Sequence, residues 1–176
     1  KISKKSSIYI ETCFDIGLKL MKSNIGFALI NGPISKKHFL GTKFEGITEY
    51  LAHKTKRKNN EVMLIYNKSL SVSPITTHIP LKNVAKKIST NMIVRKVKII
   101  NHFFINKLDK IPKIAVTGLN PHCESNYNNS EEDKIILPAI KKLQKLNVKI
   151  KGPLSADTLF IIDNKKKFDV VIGMYH

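Results

Sequence analysis

The alternation of short apolar runs with amphipathic segments is the feature that most constrains the fold of this chain. Residues 25–30, 113–117 and 169–174 are runs of the kind that form buried strands. Residues 61–66 and 70–77 are two further β-rich runs, and the short polar stretch between them predicts an antiparallel hairpin. Strands that alternate with helices favour a sheet covered by helices on both faces. We therefore expect a three-layer α/β/α fold with a mixed sheet.

We expect a short helix around residues 48–53. Three longer segments place apolar residues at steps of three and four, which is the period of a helix: residues 6–22, 90–104 and 130–143. The predicted caps at helix starts are Ser6 or Ser7, Thr90 and Ser130. Pro138 lies inside the last segment, so we expect a kink or a late helix start there.

Length and composition fit one packed domain, or most of one domain with part of another. The chain has 176 residues, of which 42% are hydrophobic. Lys or Asn interrupts every apolar run well before the roughly 20 residues that a membrane span needs, so we expect no membrane partner. Cys13 and Cys123 lack CxxC spacing, which favours a reducing cytoplasmic location. The first residue is Lys1, so we expect the start of the natural protein to be missing.

The formal charge of +18 raises the alternative of a non-catalytic, basic nucleic-acid-binding module. Arg57 and Arg95 are the only arginines, and the lysines are scattered in short runs. Surfaces that read bases favour arginine, and single-strand binders interleave aromatic side chains with the charge. We interpret the lysines as a solvated coat and expect no nucleic-acid partner.

Three histidines follow the carboxyl ends of predicted strands. His78 closes the run 71–77, His122 follows the run from Ile114, and His176 follows the run from Val170. Parallel strands end at one edge of a sheet, where α/β folds bind ligands. Three imidazoles there, with a coordination position left open, are typical of a catalytic divalent-metal site; ordinary loop histidines are an equal alternative from the pattern alone. The other three histidines, which do not follow predicted strands, are interpreted as surface or packing residues: His38, His53 and His102.

Six short motifs extend across nearly the whole chain. They are Gly32-Pro33-Ile34-Ser35-Lys36, Gly46-Ile47-Thr48-Glu49-Tyr50-Leu51-Ala52, Thr76-Thr77-His78-Ile79-Pro80-Leu81, Gly118-Leu119-Asn120-Pro121-His122, Gly152-Pro153-Leu154-Ser155-Ala156-Asp157-Thr158 and Met174-Tyr175-His176. In this order and spacing they resemble the motifs of the 4-hydroxythreonine-4-phosphate dehydrogenase family.

The resemblance implies a fold like that of isocitrate and isopropylmalate dehydrogenases, with a two-lobed subunit and a homodimer whose active site lies at the interface. It identifies residues 1–176 as the central α/β portion of such a subunit, with the N-terminal and C-terminal parts of the family's chain absent. This fragment alone is predicted to be inactive or nearly so. The implied reaction oxidises a small phosphorylated hydroxy amino acid, 4-phosphooxy-L-threonine, with NAD or NADP. The β-keto acid then decarboxylates to 3-amino-2-oxopropyl phosphate, in pyridoxal phosphate biosynthesis.

The resemblance also implies roles for single residues. His78, His122 and His176 match the ligands of a divalent metal such as zinc, cobalt or magnesium, with the third histidine donated by the partner subunit. Asp157 and Lys36 match catalytic positions, and Thr48 matches a substrate-binding position. By residue type alone, the alternatives are a helix cap for Thr48, a turn or cap for Asp157 and a solvated lysine for Lys36. No Gly-rich dinucleotide fingerprint occurs, so we expect no standard Rossmann cofactor turn in this chain.

Two departures from the family pattern keep other functions open. Ile47 stands where the family has His in Gly-His-Thr-Glu, which removes a polar substrate contact. The loop at residues 123–127 lacks the family's Gly-rich character. The first alternative is therefore a family paralogue that oxidises another hydroxy acid or a phosphorylated sugar acid. A structural remnant with a decayed site is a further alternative.

Overall fold

The computed structural model describes residues 3–44, 46–58, 60–123, 129–161 and 167–176. Within these ranges, no helix combines the length and the apolar surface that a membrane crossing requires. The chain divides into two compact units, Lys1–Glu61 and Val62–His176. Each unit has its own buried cluster of apolar side chains.

Three helices form the first unit: α1 (Lys4–Lys22), α2 (Lys36–Phe39) and α3 (Ile47–Lys54). The predicted first helix is confirmed, but its cap is Ser3 rather than Ser6 or Ser7. The Ser3 hydroxyl accepts from the Ser6 amide at 3.2 Å, and the Ser6 hydroxyl accepts from the Ser3 amide at 3.0 Å. This reciprocal pair satisfies two of the amides that a helix start leaves without partners.

An aromatic cluster packs the helices of the first unit together. Phe14, Leu40 and Tyr50 are its buried members. The Tyr50 ring meets Phe14 and Phe39 edge to face, at centroid distances of 5.3 and 5.1 Å. This geometry is the one that aromatic pairs prefer, because the positive ring edge faces the negative ring face. The cluster therefore joins α1, α2 and α3.

The predicted strand at residues 25–30 is wrong, since no strand is described there. Phe27 and Ile30 are instead 91% and 92% exposed. A strand is stable when a neighbouring strand pairs with its backbone, and the described part of the first unit contains no strand that could do so.

The second unit is built on a parallel sheet of four described strands. They are β1 (Ser71–Pro74), β2 (Ile114–Thr117), β3 (Ile150–Leu154) and β4 (Val170–Gly173), in the spatial order β1-β4-β2-β3. β4 thus pairs with both β1 and β2, and β3 pairs with β2. The predicted α/β fold is confirmed. Of the predicted hairpin, one antiparallel bridge between Ile65 and Val72 is present, so the mixed character of the sheet is confined to its edge.

Four α-helices are described alongside this sheet: α4 (Val84–Lys87), α5 (Thr90–Leu108), α6 (Leu137–Lys145) and α7 (Ala156–Leu159). Side chains alternate between the two faces of a strand. Val116 and Ile172 lie in the main cluster with residues of α5 and α6, whereas Ala115 and Val171 pack with Leu159 of α7. Apolar side chains therefore cover both faces of the sheet.

The starts of α5 and α6 differ in detail from the predictions. Ser89, not Thr90, caps α5, and the Thr90 hydroxyl donates to the Ile135 carbonyl at 3.0 Å. One π-helical turn, Glu132–Ile136, precedes α6, and Pro138 lies in the first turn of α6. The predicted late start is confirmed, because a proline without an amide hydrogen is tolerated at a helix start.

The Glu132 side chain connects this π-helical turn to the loop after β2 through hydrogen bonds. Glu132 is 3% exposed, and its Oε1 accepts from the amides of Leu119 and Asn120, each at 2.8 Å. Its Oε2 accepts from Asn120 Nδ2 at 2.9 Å. Burial raises the pKa of this carboxyl, but the hydrogen bonds from Asn120 and Leu119 outweigh burial and lower the pKa below its ordinary value of 4.5.

Replacing a core side chain of the central strand tests the packing. Ile172 is 0% exposed, so Ile172→Ala leaves a cavity and should lower the free energy of unfolding by about 2–5 kcal/mol. Urea unfolding of the full-length protein measures this loss. Ile161→Ala is the matched control; its side chain is 55% exposed, and we expect a change of about 0.5 kcal/mol or less. Equal losses in the two variants would contradict the packing described.

The lowered pKa of Glu132 predicts a specific loss of stability in acid. Because the folded-state pKa lies below the unfolded value of 4.5, the carboxylate stabilises fully above that pH and loses its contribution as the pH falls through the folded value. At about pH 7, Glu132→Gln should lower the unfolding free energy by about 1–3 kcal/mol. This difference from the wild type should shrink as the pH falls below about 4.5, which urea unfolding across pH can measure. A difference that is constant across this range is the contrary result.

Candidate functional site

The parallel sheet brings the predicted ligands to one edge. All four strands run in the same direction, so their carboxyl ends share that edge. β1 leads to His78, β4 leads to His176 and β2 leads to His122. In the spatial order of the strands, the histidines follow three neighbouring strands, with His176 on the central one. The side chains of all three are exposed.

The first pair on this edge is His78 and His176. Their ring centroids lie 6.5 Å apart, with an angle of 34° between the ring planes. Thr76 ties the two chain segments together, because its amide and its hydroxyl both donate to the Met174 carbonyl, at 3.2 and 2.8 Å. Met174 is buried, so these bonds anchor the exposed histidines to the sheet. Sequence reasoning assigned no role to Thr76, although it lies in the same motif as His78.

The second pair is His122 and Asp157, which follow the neighbouring strands β2 and β3. His122 Nδ1 lies 3.4 Å from Asp157 Oδ2. Asp157 also accepts a hydrogen bond from the Ser155 hydroxyl. The pKa of Asp157 is lowered, first by the Ser155 hydrogen bond and also by the Thr158 amide and the nearby His122. Asp157 is therefore an ionised partner that can orient the imidazole so that Nε2 points elsewhere.

Two of these histidines have unusual backbone conformations. The φ angles of His78 and His122 are 49° and 60°, in the left-handed region that residues with a β-carbon avoid. Such a conformation costs on the order of 1–3 kcal/mol, and it persists where the surrounding structure imposes it, often at a functional site. Six other described residues that are not glycine also have positive φ angles, so this conformation does not by itself single out the two histidines.

The geometry of the imidazoles can be compared with the needs of a divalent metal. Two imidazoles on one tetrahedral zinc have ring centres roughly 5 Å apart, because each Zn–N bond is about 2.1 Å. The 6.5 Å separation of the His78 and His176 rings is slightly larger, and rotation of exposed side chains can close the difference. The resemblance assigns the third histidine to the partner subunit, so His78 and His176 of one chain need not share one ion. Among the described residues, however, no three His, Cys, Asp or Glu side chains gather into one metal-binding group.

The two other predicted site residues lie in the first unit. Lys36 is the first residue of α2 and is exposed. Thr48 is half-buried in the first turn of α3, and Gly46 occupies the cap position, so Thr48 does not cap this helix. Ile47 packs against the aromatic cluster, which gives its apolar side chain a structural reason. The functional roles of Lys36 and Thr48 stay predictions.

The remaining histidines have ordinary contacts. His38 Nδ1 lies 2.8 Å from the Ser35 hydroxyl, His102 contacts Asn106, and the His53 ring lies 5.2 Å from the Phe44 ring. These contacts agree with the interpretation of surface or packing residues. The departure predicted for the loop at residues 123–127 falls largely on residues 124–127, which lie outside the described residues.

Comparisons with known proteins show the family of this chain. A family model described as pyridoxal phosphate biosynthetic protein PdxA matches residues 1–176. A 4-hydroxythreonine-4-phosphate dehydrogenase from Sulfurihydrogenibium sp. is 41% identical over 177 residues, which cover 98% of this chain and 53% of the relative. A crystal structure of a 4-hydroxythreonine-4-phosphate dehydrogenase from Klebsiella pneumoniae superposes with a TM-score of 0.88 and 28% identity, over 100% of this chain and 55% of that chain.

A relative with another named substrate also matches. It comes from Oceanobacillus iheyensis, its name gives D-threonate 4-phosphate as the compound oxidised, and it is 35% identical over 153 residues, which cover 85% of this chain and 46% of the relative. The chain thus spans about half the length of the relatives that it matches. Because the family model matches the chain from residue 1 to residue 176, the chain belongs to the PdxA family of pyridoxal phosphate biosynthetic proteins.

Proposed function

We propose that the protein containing this chain oxidises 4-phosphooxy-L-threonine, with NAD or NADP as the hydride acceptor. The product is a β-keto acid that loses carbon dioxide to give 3-amino-2-oxopropyl phosphate, in pyridoxal phosphate biosynthesis. The observation that most supports this proposal is the placement of His78, His176 and His122 after neighbouring strands at one sheet edge, in a chain of the PdxA family. Action in the cytoplasm is part of the proposal and rests on the sequence, in which Cys13 and Cys123 lack CxxC spacing.

His78, His122 and His176 are the proposed metal ligands. They would hold a divalent metal, which when bound would lower the pKa of the substrate hydroxyl and polarise the carbonyl that replaces it. Zinc, cobalt and magnesium are candidates, and imidazole ligands favour the first two. Asp157 acts through His122, whose Nδ1 it faces at 3.4 Å, and thereby leaves Nε2 for coordination. This assigns Asp157 a positioning role in place of the catalytic role that the resemblance implies.

A homodimer completes the proposed site. Within one chain the four side chains form two pairs, His78 with His176 and His122 with Asp157. A two-fold symmetric interface brings the same surface of a second copy to the first, so each site can receive an imidazole from its partner.

In the proposed reaction, the substrate gives a hydride to the nicotinamide and its hydroxyl proton to solvent. Thr48 and Lys36 are proposed to bind the substrate, with the Lys36 ammonium opposite its negative charge.

Zinc binding by the full-length protein tests the proposed ligands. His122→Ala removes a ligand and should weaken zinc affinity by more than about 100-fold, whereas Asp157→Asn weakens an exposed orienting contact and should weaken affinity by only about twofold to fivefold. Equilibrium dialysis or calorimetric titration of the metal-free protein measures both. His102→Ala is the control, because His102 lies on α5 beside Asn106, and its affinity should match the wild type. Wild-type zinc affinity in His122→Ala would reject the metal site.

A second candidate substrate is D-threonate 4-phosphate, which the Oceanobacillus relative favours. It differs from 4-phosphooxy-L-threonine at the group beside the carboxylate, where a hydroxyl replaces the amino group. Ile47, in the motif where the family has His, is the residue of this chain that bears most on the choice. Assays of the full-length protein with both compounds, each with NAD and a divalent metal, separate the two candidates.

The substitution Ile47→His tests whether this position sets the substrate preference. A regained polar contact is worth about 1 kcal/mol, so kcat/KM for 4-phosphooxy-L-threonine should rise about fivefold. Ile47→Leu keeps the apolar packing and should leave the ratio of kcat/KM for the two substrates unchanged. If both variants leave that ratio at its wild-type value, position 47 does not contact the part of the substrate that differs.

A further inference from the structure

Glu132 supports the loop that carries His122, although neither the motifs nor the resemblance assigned it a role. β2 ends at Thr117, and the chain turns at Gly118 before it reaches His122. Two amides within this turn, those of Leu119 and Asn120, donate to one oxygen of Glu132 at 2.8 Å each. Backbone amides beyond the end of a strand have no neighbouring strand to accept their hydrogen bonds, so they need another acceptor. A buried carboxylate is a strong acceptor.

The contact between the loop and the carboxylate is close and shielded from water. Glu132 is 3% exposed, and its second oxygen accepts from Asn120 Nδ2 at 2.9 Å. A β-carbon on Gly118 would lie 3.0 Å from Glu132 Oε1 and 2.5 Å from Cys123 Sγ, so the absence of a side chain at Gly118 permits this approach. Three donors from two adjacent loop residues therefore converge on one buried group.

The position of His122 follows from the loop rather than from burial of its ring. The side chain of His122 is 71% exposed, and its backbone adopts the left-handed conformation with φ 60°. Its contact with Asp157, at 3.4 Å, is also between exposed side chains. Such exposed contacts are individually weak. The buried hydrogen bonds two and three residues earlier are the stronger constraint on where the imidazole stands.

We propose that Glu132 is a positioning residue for His122. By fixing the amides of Leu119 and Asn120, it sets the loop that presents the imidazole to a divalent metal. The inference rests on the proposed metal site and deepens it. The effect is indirect, since Glu132 bonds the loop backbone and the Asn120 side chain.

Zinc titration of the metal-free, full-length protein tests this role. Glu132→Ala should weaken zinc affinity about 10–100-fold, which is the usual effect of losing a group that orients a ligand. Glu132→Gln keeps an oxygen for the two backbone amides but loses the charge, so it should restore most of the affinity and leave it about threefold to tenfold weaker than in the wild type. The matched control is Glu131→Ala, since the neighbouring Glu131 accepts from Asn120 Nδ2 at 3.1 Å; its affinity should stay within about twofold of the wild type.

The melting temperature of each variant separates positioning from stability alone. If Glu132 has a purely structural role, Glu132→Ala should have a lower melting temperature than the wild type but the same zinc affinity. That result would overturn the proposal. If Glu132→Ala does not fold, Glu132→Gln decides, and unchanged zinc affinity there has the same meaning. His122→Ala is measured in parallel. Weak binding by His122→Ala with normal binding by the Glu132 variants rejects the positioning role and keeps the metal site, whereas no zinc binding by the wild type rejects both.

Discussion

The parallel pairing of β4 with both β1 and β2 is the interaction on which the rest of the structure depends. β4 is buried and hydrogen-bonded on both sides, so it cannot shift register without turning its apolar side chains to the wrong face. Its register with β1 brings the segment after Pro74 beside the segment after Gly173. The proximity of His78 and His176 is therefore a consequence of sheet pairing.

The two edges of the sheet use polar side chains in different ways. At the amino edge, Asp169 accepts from the Lys113 amide at 2.7 Å and forms an ion pair with Lys110, contacts that join strand starts. Burial raises the pKa of Asp169, but its bonds to Lys110 and Lys113 lower the pKa by more than burial raises it. The pKa therefore lies below its ordinary value of 3.8, and the carboxyl group is ionised. At the carboxyl edge, Thr76 and Glu132 instead bond to loop and strand-end backbone. There, polar contacts hold the backbone of the segments that carry the exposed imidazoles.

The sequence predicted most of the second unit but only part of the first. Buried parallel strands are continuous apolar runs, so β2 and β4 could be recognised, whereas β3 contains Lys151, Gly152 and Pro153 and was missed. The segment 25–30 has a strand pattern, but a pattern cannot show whether a neighbouring strand exists. The three histidines could be singled out because each follows the carboxyl end of a predicted strand. In the sequence, Glu132 resembles an ordinary acidic residue at a helix start. Its hydrogen bond with the Asn120 amide joins residues 12 positions apart, and only the folded structure shows it.

The two close pairs of the candidate site agree with the strand order. His78 and His176 follow the adjacent strands β1 and β4, and His122 and Asp157 follow the adjacent strands β2 and β3. Neighbouring strands lie about 4.8 Å apart, so side chains on adjacent strand ends can touch, whereas His78 and His122 follow strands two positions apart and need help to reach one centre. Under the proposed function, that help is an imidazole from a second copy. In a two-fold symmetric dimer each copy gives an imidazole to the site of the other, so metal binding and dimer formation should stabilise each other.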